Sequence, residues 1–191
     1  MSSSDKDMIN KLITDRYSPV LFDPGAVGEE KVNMLFEAAR WAPSSRNEQP
    51  WRFIYAHRND DVFEDMLSTL FDENRIWAQN APLLILSIAK TTFTYKGKPN
   101  YYAFHDTGMA VANLLIQATD MGLYVHQMGG YDKEKARDVL NIPEGYQPVA
   151  MIAVGYKGNP EEMPEELRKR DKAERKRKFR SELVYRGGWQ S

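Results

Sequence analysis

Residues 82–89 read Pro-Leu-Leu-Ile-Leu-Ser-Ile-Ala, a near-continuous apolar run. A strand that faces water on one side alternates apolar and polar residues, so an unalternating run marks a strand buried on both faces. Such a strand needs cover above and below, and the rest of the pattern supplies it. Further strands are predicted over 51–56, 123–128 and 148–156. Helices are predicted over 8–17, stopped ahead of Pro19, and over 29–41, where Val32, Leu35, Phe36, Ala38 and Ala39 share one face and Pro43 ends it. Others follow over 60–71, 74–79 and 132–140. The segment 106–120 is apolar nearly all round, with Gly122 placed as a C-terminal glycine. A helix without a polar face belongs at a domain centre or a subunit interface. Strands mixed with helices in this way predict an α+β, three-layer α/β/α architecture. At 191 residues the chain is expected to form one domain, 1–191, with 157–191 as a charged C-terminal helix and arm.

Charge and composition then narrow the chemistry. Twenty-six basic residues against 27 acidic give a net charge of −1, the wrong balance for a general nucleic-acid binder. Cysteine is absent, which removes thiol nucleophiles, Cys-ligated zinc, iron–sulfur clusters and disulfides, and suits a reducing, cytoplasmic setting. The three histidines, His57, His105 and His126, lack metal-like spacing and read as structural or surface groups; no metal site is expected. Phosphate-loop, dinucleotide-fold and nucleophile-elbow glycine patterns are missing. The polar opening, Met1 to Asp7, predicts no signal peptide, and no run approaches the ~18 apolar residues of a membrane span. Residues 164–180 carry nine Lys/Arg against four Asp/Glu, read as a solvated helix leading into an arm, with polyanion binding as the alternative.

Four clusters remain. Arg16-Tyr17-Ser18 sets a permanent cation and a hydroxyl just after a helix, suited to phosphate, although a surface arginine and a turn serine would look the same. Residues 42–51, Ala-Pro-Ser-Ser-Arg-Asn-Glu-Gln-Pro-Trp, pack small and amide side chains between two prolines. One amide there, Asn47, offers both donor and acceptor, as the pyrimidine edge of a flavin requires. Met128-Gly129-Gly130 ends a strand in bare backbone, either a ligand approach or a plain turn. Arg175-Lys176-Arg177-Lys178 supplies late cations that would close over a phosphate or remain solvated.

The second cluster, preceded by Phe36-Glu37-Ala38-Ala39-Arg40, closely resembles the FMN-dependent nitroreductase family. The resemblance continues through Asn74-x-x-Trp77-Ala78-x-x-Ala81-Pro82, through Asp106 to Leu123, and through Gly129-Gly130-Tyr131-Asp132. It extends to Leu140 through Tyr146 and to Arg177-Lys178. Three positions depart from the family pattern: Tyr17 replaces an arginine, Val20 stands where many members carry a second arginine, and Phe179 replaces a proline.

The resemblance implies a mixed, mostly antiparallel sheet flanked by helices, and a homodimer with swapped arms and FMN at the subunit interface. It implies that Arg16, Tyr17 and Ser18 hold the phosphate and ribityl side, with Arg177 and Lys178 closing over the phosphate. Asn47 would meet the pyrimidine edge, while Pro43, Ser44 and Ser45 from the partner line the ring. Met128, Gly129 and Gly130 would approach N5 and O4 through backbone. Asn74 either joins that pocket or caps a helix. By the same resemblance the flavin carries the chemistry and no side chain is catalytic. NAD(P)H would deliver hydride to N5, and a nitroaromatic, quinone or similar small acceptor would collect the electrons in ping-pong order. The alternatives are a flavin-binding protein without turnover and a dehalogenase or flavin-fragmenting relative. The aromatic stretch 92–102 is the candidate lid over the flavin, a substrate-stacking wall, or a surface loop.

Overall fold

The computed structural model describes residues 8–162, 164–172 and 174–189. Its first helix, α1 (Lys11–Asp15), is followed by α2 (Glu29–Arg40) and β1 (Trp51–His57). Then come α3 (Asp61–Thr69), α4 (Asp72–Ala78), β2 (Leu83–Lys90) and the long α5 (Ala103–Asp120). The chain continues with β3 (Tyr124–Met128), α6 (Lys133–Val139), β4 (Tyr146–Gly155) and α7 (Glu165–Asp171). The sheet runs β1-β2-β4-β3. In place of a mixed sheet, every strand pair among the described residues is antiparallel.

The apolar run predicted to be buried on both faces is the central strand β2, whose residues Leu83 to Ala89 are all buried. Its side chains alternate between two cores, as a period of two requires. Leu84, Leu86 and Ile88 join Met151 and Ala153 of β4 beneath α3, α4 and α6, with Phe63, Met66, Leu67 and Trp77. Leu83 and Ile85 join Ile152 and Val154 beneath α2 and α5, with Val32, Leu35, Ala110 and Leu114. Two cores on opposite faces of one sheet make the three layers. Pro148, which cannot donate to a ladder, sits opposite Ile88 where a register shift loosens the β2–β4 pairing.

Two expectations change. The first helix ends at Asp15, because Arg16 already adopts extended backbone (φ −50°, ψ 124°) and the chain leaves along the domain surface. α5 starts at Ala103, and only one face of it is buried; Phe104, Gly108 and Ala112 remain exposed on the other. The charged segment 164–180, expected as a helix leading into an arm, is helical over Glu165–Asp171. Beyond it Lys172, Arg175, Lys176, Arg177 and Lys178 would stack like charges at three- and four-residue spacing, which opposes helix. Among the described residues no helix is long and apolar enough to cross a membrane.

Candidate functional site

Three of the four clusters gather at two places. The first is a pocket of about 310 Å3 lined by Arg16, Tyr17, Ser18, Arg170, Arg175 and Arg177. Chain segments more than 150 residues apart meet there through backbone and side-chain bonds. The Arg16 guanidinium donates to Ser18 Oγ at 2.8 Å. Arg175 donates to the main-chain oxygens of both Thr14 and Arg16. The Tyr17 hydroxyl donates to the Asp171 carbonyl oxygen, so Tyr17 offers the pocket its ring rather than its hydroxyl. Burial first, and then the Asp171 charge and hydrogen bond, push its phenol above the usual range.

Asp171 is the anchor. Its buried carboxylate accepts the Val20 N–H at 3.0 Å and lies 3.9 Å from Lys157 Nζ, fixing the end of α7 against the Arg16–Val20 segment. With that carboxylate turned away, the arginines share the pocket without an acid among its described lining residues. Burial and the nearby Arg175 and Arg177 charges lower the Arg16 pKa, the signature of cations crowded together. Such a cluster is a receptor for a multiply charged anion, because each guanidinium is a planar fork matched to phosphate oxygens. Arg170 and Arg175 supply cations where Tyr17 and Val20 replace the expected arginines. Arg170 escaped the sequence reading because only the fold brings α7 to Arg16. Lys178 does not line this pocket among the described residues.

The second place is the connector between α2 and β1. It contains three residues other than glycine in the left-handed region: Arg46 (φ 55°), Asn47 (φ 55°) and Gln49 (φ 52°). Arg46 and Gln49 each cost roughly 1–2 kcal/mol and Asn47 less, so the turn must be held from outside. Ser44 Oγ accepts the Gln49 N–H at 2.9 Å, and Asp106, buried in the first turn of α5, accepts the Ser45 N–H at 2.9 Å. Glu48 accepts from Thr94 and Lys90. The loop thereby presents Asn47 outward, and its side-chain amide has no hydrogen-bond partner among the described residues. Pro43 is also exposed. The lining of the arginine pocket holds none of Pro43, Ser44, Ser45 or Asn47 among the described residues, so the pocket and this loop remain separate sites within one chain.

The Met128–Gly130 segment leaves Gly129 open and fastens its two neighbours. Met128 is buried in the core beside Met151. Gly130 gives its carbonyl oxygen to Asn74 Nδ2 at 3.1 Å and to the Phe71 N–H at 3.2 Å. A Cβ at Gly130 would lie 2.6 Å from Asn74 Nδ2, so the missing side chain admits Asn74. Gly129 faces open space. Asn74 does not cap its helix: the N-cap of α4 is Phe71, and Asn74 braces the glycine turn.

His126 is structural, as expected. Its ring lies 4.5 Å from Trp77, and Nδ1 meets the Pro19 carbonyl oxygen at 2.7 Å, which supports the Arg16–Val20 segment from below. Burial, and the neighbouring Arg170 and Arg16 charges, lower its pKa against the opposing pull of that carbonyl. No group of three or more His, Asp or Glu able to hold a metal occurs among the described residues.

Comparison with known proteins completes the site. The Nitroreductase family matches residues 13–80 and 72–156. An uncharacterised 15.4 kDa protein of Mycolicibacterium smegmatis is 34% identical over 145 residues, covering 72% of this chain and 97% of its own. A protein of Archaeoglobus fulgidus, provisionally named an NADH dehydrogenase/NAD(P)H nitroreductase, is 26% identical over 150 residues, covering 76% and 83%. Among solved structures, an oxidoreductase containing FMN superposes with a TM-score of 0.90 at 32% identity, covering 95% of this chain and 93% of that one.

Proposed function

This chain belongs to the nitroreductase family, and from that membership we propose that it is an FMN-dependent oxidoreductase, taking hydride from NAD(P)H and reducing small, flat, electron-poor acceptors such as nitroaromatics or quinones in ping-pong order. The observation that carries the reading is the arginine pocket at Arg16–Ser18, lined by Arg16, Ser18, Arg170, Arg175 and Arg177 with no acid among its described lining residues. That chemistry fits a phosphate monoester. The outward Asn47 amide, donor and acceptor at once, fits the pyrimidine edge of a flavin. Lys178, which does not line the pocket, closes over the phosphate only by a movement of the arm. The open backbone at Gly129 is the approach on the β3 side, with Met128 holding the end of that strand in the core and Asn74 fixing the turn through Gly130.

FMN would supply the hydride-accepting ring. The residues around it bind, orient and restrict access: the arginines neutralise the phosphate, Asn47 sets the ring's edge, and Pro43, Ser44 and Ser45 flank its face. Because pocket and loop are separate within one chain, the reading includes a homodimer in which each site takes the loop from the partner. Two features support that assembly. The Phe104, Gly108 and Ala112 side of α5 has no cover in the monomer. The terminal stretch exposes Phe179, Leu183, Val184 and Trp189, apolar side chains suited to an arm wrapped around a second copy. The single domain is taken as 1–191, with that arm beginning after β4.

An absorbance spectrum of the protein with FMN, before and after anaerobic NADPH, tests the reading. Protein-retained flavin that bleaches on addition supports it. Failure to retain flavin overturns it, and retained flavin that NADPH leaves oxidised reduces the protein to a flavin binder.

A further inference from the structure

The aromatic stretch that follows β2 is a tethered hairpin. Phe93 donates to the Lys98 carbonyl oxygen at 2.8 Å, Asn100 donates to that of Thr91 at 2.7 Å, and the turn uses left-handed Lys96 and Gly97. The hairpin and the residues leading into α5 expose Tyr95, Tyr101 and Tyr102. Three aromatic rings exposed on one short segment are unusual for a surface loop with no other task.

What holds the hairpin is Glu48, the residue after Asn47. Its side chain is 9% exposed. One oxygen, Oε1, accepts the Thr94 N–H at 2.8 Å, the Thr94 hydroxyl at 2.6 Å and the Lys90 ammonium at 3.3 Å. These bonds hold its carboxyl below the usual carboxylate range although burial pulls the other way. A few residues on, Asp106 of α5 grips Ser45 N–H. The Ser44–Gln49 turn is therefore tied to the hairpin and the end of β2 through Glu48, and to the first turn of α5, just past the aromatic segment, through the buried Asp106. Since Arg46, Asn47 and Gln49 are strained, a shift of the hairpin would be felt at the Asn47 amide, and the reverse.

We propose that Glu48 is a positioning residue which couples the flavin-edge loop to the aromatic hairpin, making the hairpin a rigid stacking wall for flat aromatic acceptors. The inference rests on the FMN reading above. Glu48 touches neither flavin nor acceptor; it acts through Thr94 and Lys90, and its loss frees the wall while leaving the arginine pocket intact.

The test compares Glu48→Ala, Glu48→Gln and Thr94→Val in the FMN-loaded protein, with 2-methyl-1,4-naphthoquinone as the flat acceptor and FMN affinity measured separately. Removing a charge-assisted bond of this kind raises KM for the quinone about tenfold in Glu48→Ala, with kcat within about twofold. Glu48→Gln, which keeps an acceptor oxygen, recovers most of the loss, and Thr94→Val falls between. Trypsin cleavage after Lys96 gives a readout independent of turnover, and it accelerates in flavin-free Glu48→Ala. Unchanged cleavage and unchanged quinone KM overturn the proposal, as does weakened FMN binding with quinone KM unmoved. Self-association altered in Glu48→Ala with quinone KM unmoved also overturns it, because the rings then serve a second copy. If the unsubstituted protein fails to bind FMN, the functional reading falls and the acceptor role falls with it, while the Lys96 cleavage rate still decides whether Glu48 holds the hairpin.

Discussion

The arginine pocket and the Ser44–Gln49 loop solve opposite problems. The loop is strained backbone restrained from several sides: Ser44, Glu48 and Asp106 each take up a polar group, and Asn47 is left pointing outward. Its geometry is held by the chain's own groups. The pocket is assembled from two distant segments, fastened by the Asp171 carboxylate and by Arg175 on the Thr14 and Arg16 carbonyls, and its arginines have no ion pair among the described residues. On the proposed function the difference would separate two tasks: the held Asn47 amide would discriminate one ring edge from another, and the crowded cationic pocket would supply affinity that depends on salt.

The largest perturbation should therefore be at the fastener. Asp171→Ala removes the acceptor for Val20 N–H and leaves Lys157 without its counter-charge, a loss of about 2–3 kcal/mol in denaturant unfolding, since hydrogen bonds to charged groups are worth that much. FMN affinity should fall with it, because Arg170, Arg175 and Arg177 lose their register against Arg16. A variant with full stability and full affinity would show that the tail is held elsewhere. Next in size is Arg16→Met, which keeps the stem and deletes the fork. FMN should bind about 10–100-fold more weakly, with a shallower dependence on salt and an unchanged unfolding midpoint. An equal loss of affinity at every salt concentration would contradict the electrostatic account.

Much of this was legible in the sequence, and the boundary of legibility is physical. The run at Leu83–Ala89 announced two covered faces, and the structure has two cores on one sheet. Motifs within one loop, such as residues 43–51, were visible because their neighbours in sequence are also their neighbours in space. Arg170 was not: it lines the pocket because α7 is tied to Val20 through Asp171, a contact 151 residues long, and because Arg170 itself reaches the Glu73 carbonyl oxygen and the Trp77 ring. The glycine turn was half legible. Gly129-Gly130 marked bare backbone, but that Asn74 fills the space at Gly130 follows from where α4 packs. The α5 helix misled in a useful way, since its composition demanded burial that one chain gives to only one of its faces.

A milder test of the pocket side comes from pH. His126 sits under the Arg16–Val20 segment as a neutral donor to Pro19, with its pKa lowered by burial and by Arg170 and Arg16. The unfolded chain therefore binds a proton more readily than the folded one, and stability is present above the ordinary histidine value of 6.5 and declines as pH falls through it. The unfolding midpoint should drop between about pH 7.5 and about pH 5.5, and His126→Gln should flatten that slope. A slope unaffected by the substitution would move the titration to another group.

The smallest effect lies in the loop and bears most directly on whether its strain is real. Arg46 and Asn47 share the same left-handed φ of 55°, yet asparagine tolerates that region and arginine does not. Arg46→Gly relieves roughly 1–2 kcal/mol of strain and gives back about 0.5–1 kcal/mol to the unfolded chain's added freedom, so it should stabilise by about 0.5 kcal/mol. Asn47→Gly has less strain to relieve and should leave stability nearly unchanged while removing the outward amide, so it should weaken flavin binding without shifting the unfolding midpoint. Neighbouring residues at one φ would then give opposite signatures, one in stability alone and one in binding alone. If both substitutions merely destabilise, the turn is held by contacts of the side chains themselves, and the division of labour between a held loop and a cationic pocket does not stand.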